Sequence, residues 1–222
     1  SAPIAPEPGR AVHLPEFRNE PFTDFSRPDQ QQAFQQALHA IQHHVLGRTW
    51  PCWIGGEEVR VAKTFDGHDP GELTRLIGKY QLCGEAEAEA AVERAHAAFP
   101  TWAATDVEDR VRIFLRAAQR LRERKHEFSA MLCYEVGKSW AEADADTAEA
   151  IDFLEYYAGQ ALELSQPRPV TPVAGEQNRM IYVPLGVGAI IPPWNFPLAI
   201  LAGMASAALL AGNTVVLKPA TQ

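Results

Sequence analysis

The sequence predicts an α/β fold with an open parallel sheet, and three observations carry that expectation. The stretch 184–220 holds two short β-rich runs, 187–191 and 214–217, and between them lies an almost wholly apolar segment, 196–211, whose one polar side chain is Ser206. Strand, helix and strand in so few residues make one crossover with parallel strands. The punctuation agrees: Asn195 stands where an N-cap belongs, Pro197 near the first turn, and Gly212-Asn213 at the helix end. Finally, a helix apolar all round is a buried helix, and a parallel strand of Val and Ile is a buried strand.

Ligands of an open parallel sheet bind beyond the carboxyl ends of its strands. Pro192-Pro193-Trp194-Asn195 leaves the first strand and Lys218-Pro219 leaves the second, so both loops open on one edge. The first loop offers a flat aromatic and an amide donor at a helix N-terminus, where the dipole favours developing negative charge. The second offers a cation within reach of ribose hydroxyls or phosphates. Gly186-Val187-Gly188 precedes its strand instead of following it, which makes it a poor dinucleotide fingerprint.

Earlier elements follow in order. Residues 1–16, with Pro3, Pro6, Pro8 and Pro15, read as a flexible arm. Residues 29–47 read as a helix with Phe34, Leu38, Ile41 and Val45 on one stripe. His39 and His43 on that helix have zinc-ligand spacing without a third ligand nearby, so no metal site is assigned. Residues 49–63 suggest a hairpin, with Trp50, Cys52 and Ile54 before Gly55-Gly56 and Val59 and Val61 after it. A strand over 74–82 and an Ala- and Glu-rich helix from 84 to about 98 come next. The spacing then predicts one amphipathic helix over 106–134, its apolar stripe running from Val107 through Phe114 and Leu121 to Leu132, with Arg110 and the other basic residues on a solvated face. Gly137-Lys138 ends it, Ser139 caps a helix running to about 164, and the Pro- and Gly-rich residues 165–179 link it to 180–184.

Composition narrows the function classes. The chain of 222 residues is 46% hydrophobic and 22% charged, ordinary for a soluble globular protein. A net charge of −8 argues against a nucleic-acid partner. Three scattered cysteines without a CxxC pattern suggest reduced thiols and a cytoplasmic protein. No charged-then-apolar signal peptide opens the sequence, and 196–211 is too short and too rich in Ala and Gly for a membrane partner to be expected. Cys52 falls in a strand, Cys133 in an apolar helical pattern, and Cys83 before a helix start, where the dipole would lower its pKa; all three are assigned to packing.

Pro193-Trp194-Asn195-Phe196-Pro197, followed by Gly212 to Ala220 reading GNTVVLKPA, resembles the aldehyde dehydrogenase superfamily. The helix sequence YEVGKSWAEADADTAEAIDFLEYYA and Phe17-Arg18-Asn19-Glu20-Pro21 are similar to one branch, the glutamate-semialdehyde or pyrroline-carboxylate dehydrogenases of proline breakdown. The resemblance implies a doubly wound, Rossmann-like cofactor domain whose βαβ starts within 179–222. Ahead of it would lie a helical and hairpin region over 17–178, with the hairpin part of an oligomerisation element, hence a homo-oligomer. It implies that Asn195 donates to the oxyanion of a thiohemiacetal, that Lys218 binds the adenosine ribose, and that Ile191, Pro192, Pro193 and Trp194 line the nicotinamide side. Glu149 and Phe196 would face the aldehyde substrate. Thr221 stands where many NAD-preferring members carry Glu, which leaves NADP less excluded than usual; NAD is the expected cofactor because the branch resembled mostly uses it. The catalytic Cys and the general-base Glu of the family match no residue here, so the catalytic domain is absent from this chain. The activity implied is NAD-dependent oxidation of glutamate γ-semialdehyde to glutamate by the complete enzyme. The alternatives are another aldehyde substrate, or a truncated module that binds or assembles without catalysis.

Overall fold

A computed structural model describes residues 14–166 and 168–221. The predicted arm over 1–16 therefore lies almost wholly outside the described residues. The first helix is α1, Pro28–His44, with Pro28 in its opening turn and Phe34 and Ile41 buried. The predicted hairpin is shorter than its sequence pattern: β2, Cys52–Ile54, pairs antiparallel with β3, Glu57–Val59, around Gly55 and Gly56, both at positive φ. Trp50 does not belong to it. It lies in β1, Arg48–Trp50, which pairs parallel with β5, Glu72–Gln81. The other flank of β5 carries β4, Thr64–Asp69, a strand hidden in the sequence by polar residues at Asp66, His68 and Asp69.

Two helix boundaries differ from expectation. Helix α2 runs Glu85–Ala104, through Pro100. Proline removes one backbone donor, but the helix beyond it is anchored from outside, since the Trp102 indole donates to Leu209 O at 2.9 Å. The predicted helix over 106–134 is two helices, α3, Val107–Glu123, and α4, Lys125–Val136, separated at Arg124, whose φ and ψ are −112° and 20°. Asp106 caps α3 by accepting from Glu108 N. Gly137, left-handed at φ 67°, ends α4. Ser139 and Glu142 form a capping box at the start of α5, Trp140–Ser165.

The parallel pair forms as expected. Strand β6, Val187–Ile190, and β7, Thr214–Leu217, are joined through α6, Ala199–Leu210. Helix α6 packs against α3 and α5 around Ala118, Leu121, Ile151, Leu154 and Ala199, and a second cluster joins Val111 and Ala158 to Leu210. Gly203 permits the close approach, because a Cβ there would lie 2.9 Å from the Phe153 ring. Between α5 and β6 the described chain is irregular apart from one antiparallel bridge, Arg168 to Met180.

A segment near the start is pinned to α5. Asn19 Nδ2 donates to Asp152 at 2.7 Å and Glu20 N at 2.6 Å. Thr23 gives both its amide and its hydroxyl to Asp144. Arg122 bridges Glu20 and Glu155, and Lys125 pairs with Asp144 at 3.0 Å. Asp144, Asp152 and Glu155 of α5 are therefore internal partners, while Glu149 stays exposed.

Candidate active site

Strands β6 and β7 end in register, with Ile190 opposite Leu217. Lys218 N donates to Ile190 O at 2.9 Å, so the two following loops start side by side. On the first loop Pro192 is buried, while Ile191, Pro193, Trp194, Asn195 and Phe196 are exposed. On the second, Lys218 curls back, its Nζ donating to Pro219 O at 3.0 Å and to the Thr221 hydroxyl at 3.3 Å. This edge thus gathers Ile191 to Phe196 with Lys218 and Thr221. Glu149 is exposed on α5, and no hydrogen bond or ion pair among the described residues ties it to the loop.

Asn195 is not the helix cap the sequence suggested. The helix starts at Ala199, with Leu198 at the N-cap position and no side-chain cap from its own chain segment. Pro197 disfavours helical backbone at Phe196 and so delays the start. The orphan amide of Ala199 finds its acceptor on another helix, Asp146 Oδ1, at 2.8 Å. The Asn195 amide is left exposed, without a hydrogen bond among the described residues. It remains a neutral donor at the open edge of a parallel pair.

Asp146 is wholly buried, and its second oxygen accepts from Lys138 Nζ at 2.7 Å. That ammonium lies 4.0 Å from the centroid of the Phe196 ring. The far end of α6 is also held by a side chain from elsewhere: the buried Arg110 donates Nε to Leu210 O at 3.1 Å, and Nη1 to Thr105 O. The expectation that Arg110 belongs to a solvated basic face is corrected, because an all-apolar helix end exposes carbonyls that need a buried donor. Sequence reading missed Asp146, Lys138 and Arg110 as structural partners. The available signal was three aspartates, Asp144, Asp146 and Asp152, in an otherwise Ala-rich buried helix.

The cysteines lie off this edge. The Sγ atoms of Cys52 and Cys83 are 3.1 Å apart, and both thiols are free. The Cys83 thiol is pushed up to about 11, first by burial and then by the adjacent Cys52 and the Glu87 carboxylate. The expected lowering by the α2 dipole is thereby overturned. Burial pushes the Cys133 thiol up to about 11 as well. Neither is disposed to act as a thiolate near neutral pH. Among the described residues no cluster of three metal-binding side chains forms, and no helix is long and apolar enough to cross a membrane. A cleft lined by Glu20, Arg122, Lys125 and His126 includes none of the edge residues.

Comparison with known proteins adds an independent line. Residues 57–222 match the model of the aldehyde dehydrogenase family. A 1-pyrroline-5-carboxylate dehydrogenase of Bacillus pumilus is 48% identical over 205 residues, covering 92% of this chain and 40% of the relative. A crystal structure of a 1-pyrroline-5-carboxylate dehydrogenase from Thermus with bound NAD superimposes with a TM-score of 0.91 at 46% identity, over 94% of this chain and 40% of that one. A proline utilization A structure from Bdellovibrio bacteriovorus gives a TM-score of 0.90 at 39% identity, over 95% of this chain and 22% of that one. The chain thus spans 40% of the length of the Bacillus relative.

Proposed function

From the premise that this chain belongs to the aldehyde dehydrogenase family, we propose that it is the amino-terminal part of an NAD-dependent enzyme that oxidises glutamate γ-semialdehyde to glutamate. The observation that carries the reading is the exposed Asn195 amide, without a hydrogen bond among the described residues, on the loop that leaves β6 beside Lys218. Residues 17–178 are read as the helical and hairpin region and 179–222 as the start of the cofactor domain. The nucleophilic Cys and the base are assigned to the part of the family's length that this chain does not span, so residues 1–222 alone are inactive in this reading. A homo-oligomer in the cytoplasm is the setting the family likeness supports.

The residues of the edge suit these roles. Thiolate attack on an aldehyde turns the carbonyl oxygen into an oxyanion, and the Asn195 NH2 donates to it without carrying charge. Because that charge develops along the reaction path, the donor acts on kcat more than on KM. Lys218 and the Thr221 hydroxyl, already 3.3 Å apart, would hold the adenosine ribose, and neither carries a carboxylate that would repel a 2′-phosphate. Ile191, Pro192, Pro193 and Trp194 form an apolar surface for the nicotinamide side, and NAD when bound supplies the hydride acceptor. Phe196 presents an exposed ring to the aliphatic part of the substrate, with Glu149 assigned to the same side.

The test is steady-state oxidation of glutamate γ-semialdehyde by the full-length enzyme that contains this chain, with NAD and NADP compared. Turnover with a clear preference for the semialdehyde over short aliphatic aldehydes supports the assignment. Equal or better turnover of unrelated aldehydes sinks the substrate, and a full-length product without a nucleophilic Cys sinks the enzyme.

A further inference from the structure

Asp146 joins three pieces of the molecule that the sequence keeps apart. Its Oδ1 accepts from Ala199 N across 53 residues of chain, and its Oδ2 accepts from Lys138 Nζ, just past the end of α4. The carboxylate is 0% exposed and the lysine side chain 13%. A buried charge is tolerated only where its partners are fixed, so these two donors define where the carboxylate sits. Its carrier, the 26-residue helix α5, is held along its length, with a capping box at its start and α3, α4 and α6 against its faces.

The clamp reaches the open edge by two arms. One fixes the first turn of α6, which ends the loop carrying Asn195. The other delivers an ammonium to the face of Phe196, the residue next to Asn195. The loop's opposite end is fixed by the pairing of Ile190 with Leu217. With both ends and one ring held, the exposed Asn195 amide has little freedom left. Stability alone requires an acceptor for the Ala199 amide; it does not require that the same carboxylate steer a cation onto an exposed ring at the reaction edge.

We propose that Asp146 is a positioning residue, setting the aim of Asn195 through α6 and the pose of Phe196 through Lys138. This rests on the roles given above to Asn195 and Phe196. In the full-length enzyme, four variants separate the possibilities: Asn195→Ala, Asp146→Ala, Asp146→Asn and Lys138→Met. Rates are taken per titrated active site, on glutamate γ-semialdehyde and on propionaldehyde, which is too short to rest on Phe196. Asn195→Ala is expected to lower kcat about 100-fold on both substrates. Asp146→Ala is expected to lower kcat roughly 10- to 100-fold on both, the cost of a misplaced donor. Asp146→Asn still offers an oxygen to Ala199 and is expected to recover kcat to within about threefold. Like Lys138→Met, it should raise KM for the semialdehyde about fivefold or more while leaving KM for propionaldehyde unchanged. Full kcat in Asn195→Ala overturns the underlying reading, whatever Asp146 does. Loss in Asn195→Ala together with unchanged kcat and KM in Asp146→Ala overturns the positioning role, even if melting falls. Should Asp146→Ala not fold, an unchanged semialdehyde KM in both Asp146→Asn and Lys138→Met overturns it.

Discussion

Helix α6 owns no polar side chain at either terminus, and its two ends are secured in different ways. At the N-terminus a buried aspartate accepts from one amide and passes its other oxygen to a lysine above an exposed aromatic ring. At the C-terminus a buried arginine and an indole donate to the carbonyls of Leu210 and Leu209, and Asn213 closes the turn by donating to Ala208 O while accepting from Leu185 N. Both arrangements suit the helix dipole, anion at the start and cation at the end. The C-terminal set ends on scaffold carbonyls, whereas the N-terminal set leads on to the loop of Asn195. One end serves stability, and the other serves aim.

The sharpest way to break that contrast is at Asn195. In the full-length enzyme Asn195→Ala and Asn195→Asp should each lower kcat by roughly 100-fold or more, with melting temperature unchanged in both because Asn195 caps nothing. A drop in stability comparable to that of a lost cap would mean the amide is structural after all. The converse holds at the other end. Arg110→Ala strips the donor from buried carbonyls and should cost about 2–3 kcal/mol in a denaturant titration, with kcat per titrated site unchanged; an activity loss without destabilisation would erase the distinction between the ends. Midway along the helix, Gly203→Ala drives a methyl into the Phe153 ring and should cost about 1–3 kcal/mol, read as a shift in denaturation midpoint at constant slope. The smallest effect is expected off the edge. Cys52→Ser, Cys83→Ser and Cys133→Ser should each leave kcat within about tenfold. Since the Cys83 and Cys133 thiols are pushed up to about 11, their iodoacetamide labelling should be slow at neutral pH and rise continuously toward pH 11. Fast labelling of either at neutral pH would contradict the raised thiol pKa values.

What the sequence made legible was local. Val and Ile runs, Gly137, the Ser139 cap and Gly212 carry their conformations in their own side chains or lack of them, and each is where it was expected. The break at Arg124 was hidden because the apolar period continues through it: Phe114 and Leu121 face α5, while Phe128 and Leu132 resume the stripe on a helix that also packs on α1. The passage of α2 through Pro100 depends on the Trp102 anchor, made 107 residues away. For the candidate site, motif spacing pointed to the edge beyond β6 and β7, and the strand register starts the loops of Ile191 and Lys218 side by side there. Asn195 as a cap and Arg110 as a surface charge failed for one reason. Helix-end partners supplied from distant segments leave no pattern near the helix they serve.

The acids of α5 have a consequence for assembly. Asp144 and Asp146 lie two residues apart within one turn of α5 and point to different sides, each buried, each matched by one lysine from outside the helix, Lys125 and Lys138. A helix slipped by one turn, about 5.4 Å, would carry both aspartates away from their lysines. It would also strand two carboxylates in the interior, and an orphaned buried charge costs about 3–5 kcal/mol. The pairs therefore act as a registration key, adding a charge penalty to any slipped docking of α5. The segment that brings Thr23 onto Asp144 completes the key only when the start of the chain, α4 and α5 have all come into register.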